Sequence, residues 1–241
     1  MECIYLPELN IDNKYYQINS TEAHHLKVLR LQSAEQVLIT SGKGISALAT
    51  IVRNSKNDFS VNIKEYYFNK GEINFKIGLA IGILDNKDRF EFAIEKSTEL
   101  GVSDIFPLIT DYSQQTKINK ERLITKTINV IKQCKRSILP TIHNPITTLE
   151  LLNDNEKKLD CYNLSLNFDR IILGDEYGIV PEKETHKISN SIIFIGSEGG
   201  FSKKELDVFD EKKVIKWNFG NRRLRTETAA ITGIILLSIG F

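Results

Sequence analysis

Cysteine is scarce in this sequence and poorly placed for cross-linking. Cys3, Cys134 and Cys161 are odd in number, widely spaced and never form a C-x-x-C pair. That argues against a disulfide framework and a cysteine-based zinc site, and reads as reduced thiols in a cytoplasmic protein. The four histidines, His24, His25, His143 and His186, do not fall at metal-ligand spacings, so no metal is expected. Net charge is nearly absent: 32 basic side chains face 31 acidic ones, a balance of +1. Such a balance argues against long, non-specific coating of RNA, although local basic clusters still bind phosphates. The first residues lack a basic segment followed by an apolar one, so no signal peptide is expected. The apolar run Ala229–Phe241 is too short to span a bilayer and reads as a buried helix. No internal repeat stands out.

What is present suits a soluble globular protein. Of 241 residues, 41% are hydrophobic and 26% charged, enough for a sizeable core without disulfides or metal. The length fits one large domain or two smaller ones. Residues 1–70 read as β-rich. Gln36–Thr40 and Ala47–Val52 flank Ser41-Gly42-Lys43-Gly44, a hairpin signal, and Phe59–Tyr67 alternates apolar with polar. A short helix is expected from Ser20 or Thr21, with Glu22 in its first turn. Several short strands in so few residues suggest a small barrel. Asn69-Lys70-Gly71-Glu72 breaks the pattern and is the expected linker.

Beyond it, strand and helix alternate. Strands are expected at Phe75–Leu84, Val102–Ile109, Arg170–Leu173, Ser191–Gly196 and Val214–Phe219. Helices are expected from a cap at Asp88 to Gly101, over Lys120–Ser137 and over Thr226–Leu237. This rhythm argues for an α/β domain with a largely parallel sheet covered on both faces.

The strand Ile192–Ile195 runs into Gly196-Ser197-Glu198-Gly199-Gly200, and Ser202-Lys203-Lys204-Glu205 matches the capping box that opens a helix. Glycines let a backbone approach a ligand closely, and a helix N-terminus attracts negative or polar atoms. The turn lacks the GK[ST] of a phosphate loop and is not G-x-G-x-x-G. A tight connection without a ligand competes with a binding turn. Glu198 favours the latter, because ligands of open α/β sheets gather at that end of the strands. A second segment, Gly220 to Thr228, puts Arg222, Arg223 and Arg225 between a strand and an apolar helix. Guanidinium forks suit phosphates and bases, and a solvated charged loop is the plain alternative. Thr226 is expected to cap the last helix, with Glu227 in its first turn. The two loops are expected to face each other across adjacent strands.

These residues carry a resemblance. Gly196-Ser197-Glu198-Gly199-Gly200-Phe201-Ser202 resembles GPEGGFS, and Phe219 to Ala229 resembles LGxRILRTETA, two signatures of the bacterial ribosomal small subunit RNA methyltransferase E family. Glu95 to Val102 is similar to its KATELGV, Gln133 to Ser137 with Pro140 to its EQSGR…P, and His24 to Arg30 to its HHL-VLR. The matches run in order along nearly the whole chain. The resemblance implies a small PUA-like β-barrel over residues 1–70 and a SPOUT α/β domain with a trefoil knot over residues 74–241. It further implies S-adenosyl-L-methionine as cofactor, methylation of uracil N3 in 16S ribosomal RNA of the small ribosomal subunit, and a homodimer with the active site near the interface. Ser197 stands where the family has proline, which is expected to loosen the turn. Arg223 stands where the family has an apolar residue, which is expected to alter packing or RNA contacts.

On this basis the cofactor is expected against Leu173, Gly174, Ile195, Gly196, Ser197, Glu198, Gly199, Gly200, Phe219, Gly220, Leu224 and Thr226. Uracil N3 carries a proton at neutral pH and must lose it to become a nucleophile. Arg225 and Arg222 are candidates to stabilise charge on the base, and Glu198 and Glu227 to accept the proton. Ordering of the turn by Glu198 and helix-dipole stabilisation by Glu227 compete with those roles. Arg30, Lys27, Lys43, Arg136 and Arg223 are candidate RNA contacts. Lys132 and Lys135 either extend that track or form an exposed helix face. Two other functions stay open: a non-catalytic RNA-binding or ribosome-assembly protein on the same fold, and a related methyltransferase acting on another RNA.

Overall fold

Val37, Ile39, Ala47, Ala49, Ile51, Phe59, Val61 and Ile63 recur at alternate positions and are buried together. That period places them on one side of a sheet. The computed structural model describes residues 1–55, 58–153, 164–182 and 189–240, without the side chains of residues 165 and 166, so Cys161 and His186 lie outside the described residues. The chain divides into two units, residues 1–72 with 125–139, and residues 73–124 with 140–241.

The first unit holds β1 (Cys3–Tyr5), β2 (Tyr15–Gln17), α1 (Ser20–Val28), β3 (Gln36–Thr40), β4 (Ile45–Arg53) and β5 (Phe59–Phe68). The strands form one sheet, ordered β1-β3-β4-β5-β2, that curls around the apolar side chains above. Asn19 caps α1, its Oδ1 accepting from Glu22 N at 2.9 Å. Residues 125–139 join this unit, whereas a boundary at residue 70 leaves them with the second domain. Two ion pairs account for it. Lys132 Nζ lies 2.8 Å from Glu22 Oε1, and Arg136 Nη2 lies 2.7 Å from Glu72 Oε2, the latter pair only 4% and 5% exposed. Glu72 also accepts from the amides of Ser137 and Ile138 at 2.8 and 2.9 Å. Charges this deeply buried persist only when paired and hydrogen-bonded.

The second unit holds β6 (Ile77–Gly82), α2 (Lys87–Glu99), β7 (Asp104–Ile109), the first turn of α3 (Lys120–Cys134), β8 (Thr141–Ile142), β9 (Ile146–Thr147), α4 (Thr148–Leu152), α5 (Leu164–Asn167), β10 (Arg170–Ile179), β11 (Ser191–Ile195), α6 (Lys203–Glu211), β12 (Ile215–Trp217) and α7 (Thr226–Ser238). Every strand pairing in it is parallel, in the order β12-β10-β11-β6-β7-β8, with β9 on β7. Alternate residues feed two cores. Leu79, Ile81, Ile193 and Ile195 meet α2 and α7, while Ala80, Ile192, Phe194 and Leu173 meet α4 and α6. Burial on both faces is why these strands read as continuous apolar runs.

Helix ends depart from expectation by small amounts. Asn86 caps α2, not Asp88: its Oδ1 accepts from Arg89 N at 3.1 Å, and Asp88 lies inside the first turn. The third helix stops at Cys134, because Lys135 adopts φ 62°. At α7, Arg225 occupies the cap position without a side-chain cap bond, and Thr226 is the first helical residue. This last helix returns from edge strand β12 to pack on β11, β6 and α2. Gly233 permits the approach, since a Cβ there would lie 2.3 Å from Ile193 Cδ1.

Candidate active site

Parallel strands leave their loops at one carboxyl edge, and two of those loops, with the second half of β10, border an open cavity of about 950 Å³. It is lined by Gly174–Tyr177 in the second half of β10, by Ile195 at the end of β11 with the turn to Phe201, and by residues between Asn218 and Thr226 after β12. The glycine turn and the arginine loop do not leave adjacent strands, because β10 runs between β11 and β12. Its second half is the third wall. Gly174 keeps that wall close: a Cβ there would stand 2.6 Å from Ile195 Cδ1 and 3.1 Å from the Phe219 ring. Ile195, Phe201, Leu206 and Phe219 supply apolar surface, and Arg222, Arg223 and Arg225 are exposed at it.

A guanidinium organises the acidic groups. Arg89 grips Glu227 with both ends of its fork, Nε to Oε1 at 3.0 Å and Nη2 to Oε2 at 2.7 Å. Its Nη1 lies 3.5 Å from Glu198 Oε1. One side chain from the first turn of α2 thus ties the glycine turn to the start of α7. Burial works to raise the Glu227 pKa. Hydrogen bonds from Arg89 and its own amide, with the charges of Arg89 and Arg225, outweigh that and hold it below its ordinary value. The bond to Glu227 raises the Arg89 pKa in turn.

The turn itself is anchored locally. Ser202 and Glu205 form the expected capping box, Glu205 N donating to Ser202 Oγ at 3.2 Å and Ser202 N to Glu205 Oε2 at 2.8 Å. Ser197 is buried, with its hydroxyl 2.9 Å from Thr110 Oγ1. This bond fastens the turn where loosening is expected from the lost proline. Arg223 places Nε 3.2 Å from Glu176 Oε1, joining two loops at the cavity.

Most expected cofactor residues line this space: Gly174, Ile195, Gly196, Ser197, Glu198, Gly199, Gly200, Phe219, Gly220, Leu224 and Thr226. Leu173 does not. It is fully buried against Ile192 and Phe194, because the strand period turns it into the core. Of the candidate catalytic groups, Glu198, Arg222 and Arg225 line the cavity, whereas Glu227 reaches it only through Arg89. Among RNA candidates, Lys27, Arg30 and Lys43 are exposed on the first unit, with Lys43 Nζ donating to Pro7 O at 2.9 Å. Arg136 is buried on Glu72, so it is no RNA contact, and Lys132 is likewise held by Glu22. Sequence reasoning missed Arg89. Its signal was position: it opens the helix after a buried strand, three residues beyond Asn86. Asp175, Glu176, Tyr177 and Asn218 were missed as well.

Comparison with known proteins agrees with this geometry. Residues 71–238 match the RNA methyltransferase domain family, and residues 18–64 the RNA methyltransferase PUA domain family. The ribosomal RNA small subunit methyltransferase E of Rickettsia conorii is 32% identical over 96% of this chain and 92% of its own. Its namesake in Bacillus subtilis is 26% identical over 92% and 89%. The solved structure of ribosomal RNA small subunit methyltransferase E from Neisseria gonorrhoeae, bound to S-adenosyl methionine, shares the fold. Its TM-score is 0.85 at 24% identity, covering 100% of this chain and 98% of its own. A Legionella pneumophila structure described as a methyltransferase in complex with SAM gives 0.77 at 29% identity over 98% and 96%. A family match over the whole α/β unit, with a near full-length relative at 32% identity, makes this chain a member of the ribosomal RNA small subunit methyltransferase E family.

Proposed function

We propose that this chain transfers the methyl group of S-adenosyl-L-methionine to N3 of a uridine in 16S ribosomal RNA of the small ribosomal subunit. The observation that carries the reading is one cavity into which the glycine turn, the arginine loop and the end of β10 all open. The names of the relatives support the ribosomal substrate, and two similar structures holding the cofactor support the donor.

The residues present suit that cofactor. The volume of about 950 Å³ is ample. Asp175, Glu176 and Glu198 line it with charge complementary to sulfonium and ammonium groups, and the arginines suit a carboxylate. Bound there, the cofactor supplies a methyl group already activated by its positive sulfur. Gly174, the 195–200 turn and residues 219–224 hold and orient it. Ile195, Phe201 and Phe219 keep water away from the reacting atoms. Glu198, exposed at the cavity, accepts the N3 proton, while Arg225 and Arg222 stabilise negative charge on the base oxygens. Glu227, spent on Arg89 and with its pKa lowered, is a weak base. Its role is to position Arg89.

On the first unit, exposed Lys27, Arg30 and Lys43 serve as phosphate contacts that orient RNA without reading its sequence. The return of α7 from β12 across β11 supports the knotted threading of a SPOUT domain. Exposed Phe92, Ile235 and Ile239 on or beside α2 and α7 support a homodimer through these helices. A ribosomal substrate supports a cytoplasmic location. Among the described residues, no helix is long and apolar enough to cross a membrane.

Mass-spectrometric mapping of ribosomal RNA from cells with and without the gene tests the reading. Loss of one 3-methyluridine from the small-subunit RNA is the expected result. An unchanged map, or loss of a mark on another base, would refute the assigned target.

A further inference from the structure

Between Gly174 and Ile179 the pairing of β10 with β12 is interrupted. Both residues stand opposite Trp217, so Asp175, Glu176, Tyr177 and Gly178 arch out of the ladder. Insertions of this kind bend a strand and re-aim a side chain, often beside an active site. The arch is fastened. Asn218 donates from its amide N to Ile179 O at 2.8 Å and from its side chain to Glu176 O, and Tyr177 N donates to Asp175 Oδ1 at 2.9 Å. A Cβ on Gly178 would meet the Lys216 backbone at 2.6 Å, so the arch lies flush on β12.

The arch holds out an aromatic ring. Tyr177 is 94% exposed at the cavity, and Ile179 and Val180 beyond it are each 67% exposed. A single exposed apolar side chain needs no explanation, but three within four residues, the first of them lining the cavity, do. Glu176 is partly neutralised by Arg223, whose Nε lies 3.2 Å away, while Lys216 pairs with Asp210 at 2.6 Å and lies 3.9 Å from Asp175.

We propose that Tyr177 is a stacking platform for an unpaired base of the RNA substrate, adjoining the nucleotide that enters the cavity. This rests on the methyltransferase reading above. A flat ring among exposed guanidiniums is the combination that binds single-stranded RNA, bases on the π-face and phosphates on arginine. An enzyme that works on a base must first take it out of its stack. A ring carried at the rim on a fastened backbone replaces the stacking that the neighbouring base loses. Because the arch is already tied down, little ordering remains when RNA arrives.

Tyr177→Ala and Tyr177→Phe are compared with the parent protein on purified small ribosomal subunits lacking the mark. Co-sedimentation gives Kd for subunits, initial rates give KM and kcat, calorimetry gives cofactor affinity, and ultracentrifugation gives mass. The alanine variant is expected to bind subunits about tenfold or more weakly, with KM rising in step. Phenylalanine should restore parental affinity, and cofactor affinity and mass should stay unchanged. Parental binding by the alanine variant overturns the proposal. So does equal weakness of both variants, which would implicate the hydroxyl, or a parallel loss of cofactor affinity. A changed mass also overturns it, because the patch would then be a subunit contact. If the parent binds subunits through Tyr177 without transferring methyl, the function falls and the stacking site stands. If it neither binds nor transfers, both fall.

Discussion

Two guanidiniums at one cavity have opposite assignments. Arg89 is saturated by carboxylates on two sides, whereas Arg225 is exposed at the cavity and opens α7. Arg225 is therefore the one placed to meet charge developing on the substrate. Arg225→Ala should slow methyl transfer to unmodified small subunits roughly 100-fold, the effect of losing about 3 kcal/mol made only in the transition state. Unchanged turnover would remove Arg225 from the chemistry. Glu227 tests the structural side. Burial alone would raise its pKa, but Arg89, its own amide and Arg225 bring it below the ordinary 4.5. Its carboxyl thus binds protons less readily folded than unfolded. Its contribution to stability is complete above pH 4.5 and is lost as pH falls through the depressed folded value. Glu227→Gln should be less stable than the parent at neutral pH, and the two denaturation midpoints should converge on acidification. A gap that stays constant into the acid range would sink this assignment.

At the scale of elements, the glycine turn depends on the helix it enters. Ser202 and Glu205 satisfy each other's orphan amides, which fixes the direction in which the turn runs into α6. Ser202→Ala should cost about 1 kcal/mol in urea unfolding and weaken cofactor binding with it. Full stability in the variant would show that the cap is dispensable. This cap was legible in the sequence because it is local: the spacing of Ser202 and Glu205 alone defines it. Likewise β3 matched the expected Gln36–Thr40, since alternation is written into consecutive residues. Strand order was not legible. The insertion of β10 between β11 and β12 is decided by long-range pairing, and only the family resemblance pointed to Gly174 at the site. Arg136 was misread for a related reason. A basic residue after a helix looks solvated until Glu72, 64 positions away, is known to cover it.

For the molecule as a whole, segment 125–139 belongs with the first 72 residues despite the intervening chain. An isolated fragment of residues 1–72 would lack Lys132 and Arg136, the partners of Glu22 and Glu72, and the segment that helps to bury them. Breaking one buried pair typically costs about 3–5 kcal/mol, a large share of a small domain's stability. The fragment should lack a cooperative urea transition by circular dichroism. A sharp, two-state transition in it would mean that the barrel closes without those cations. The same interleaving governs how the protein comes off the ribosome that made it. The amino-terminal unit is complete in sequence only once residue 139 has been made, and the pocket's last wall is translated only with residues 218–229. On the proposed function, a nascent chain therefore acquires a complete methyl-donor pocket only at the end of its synthesis.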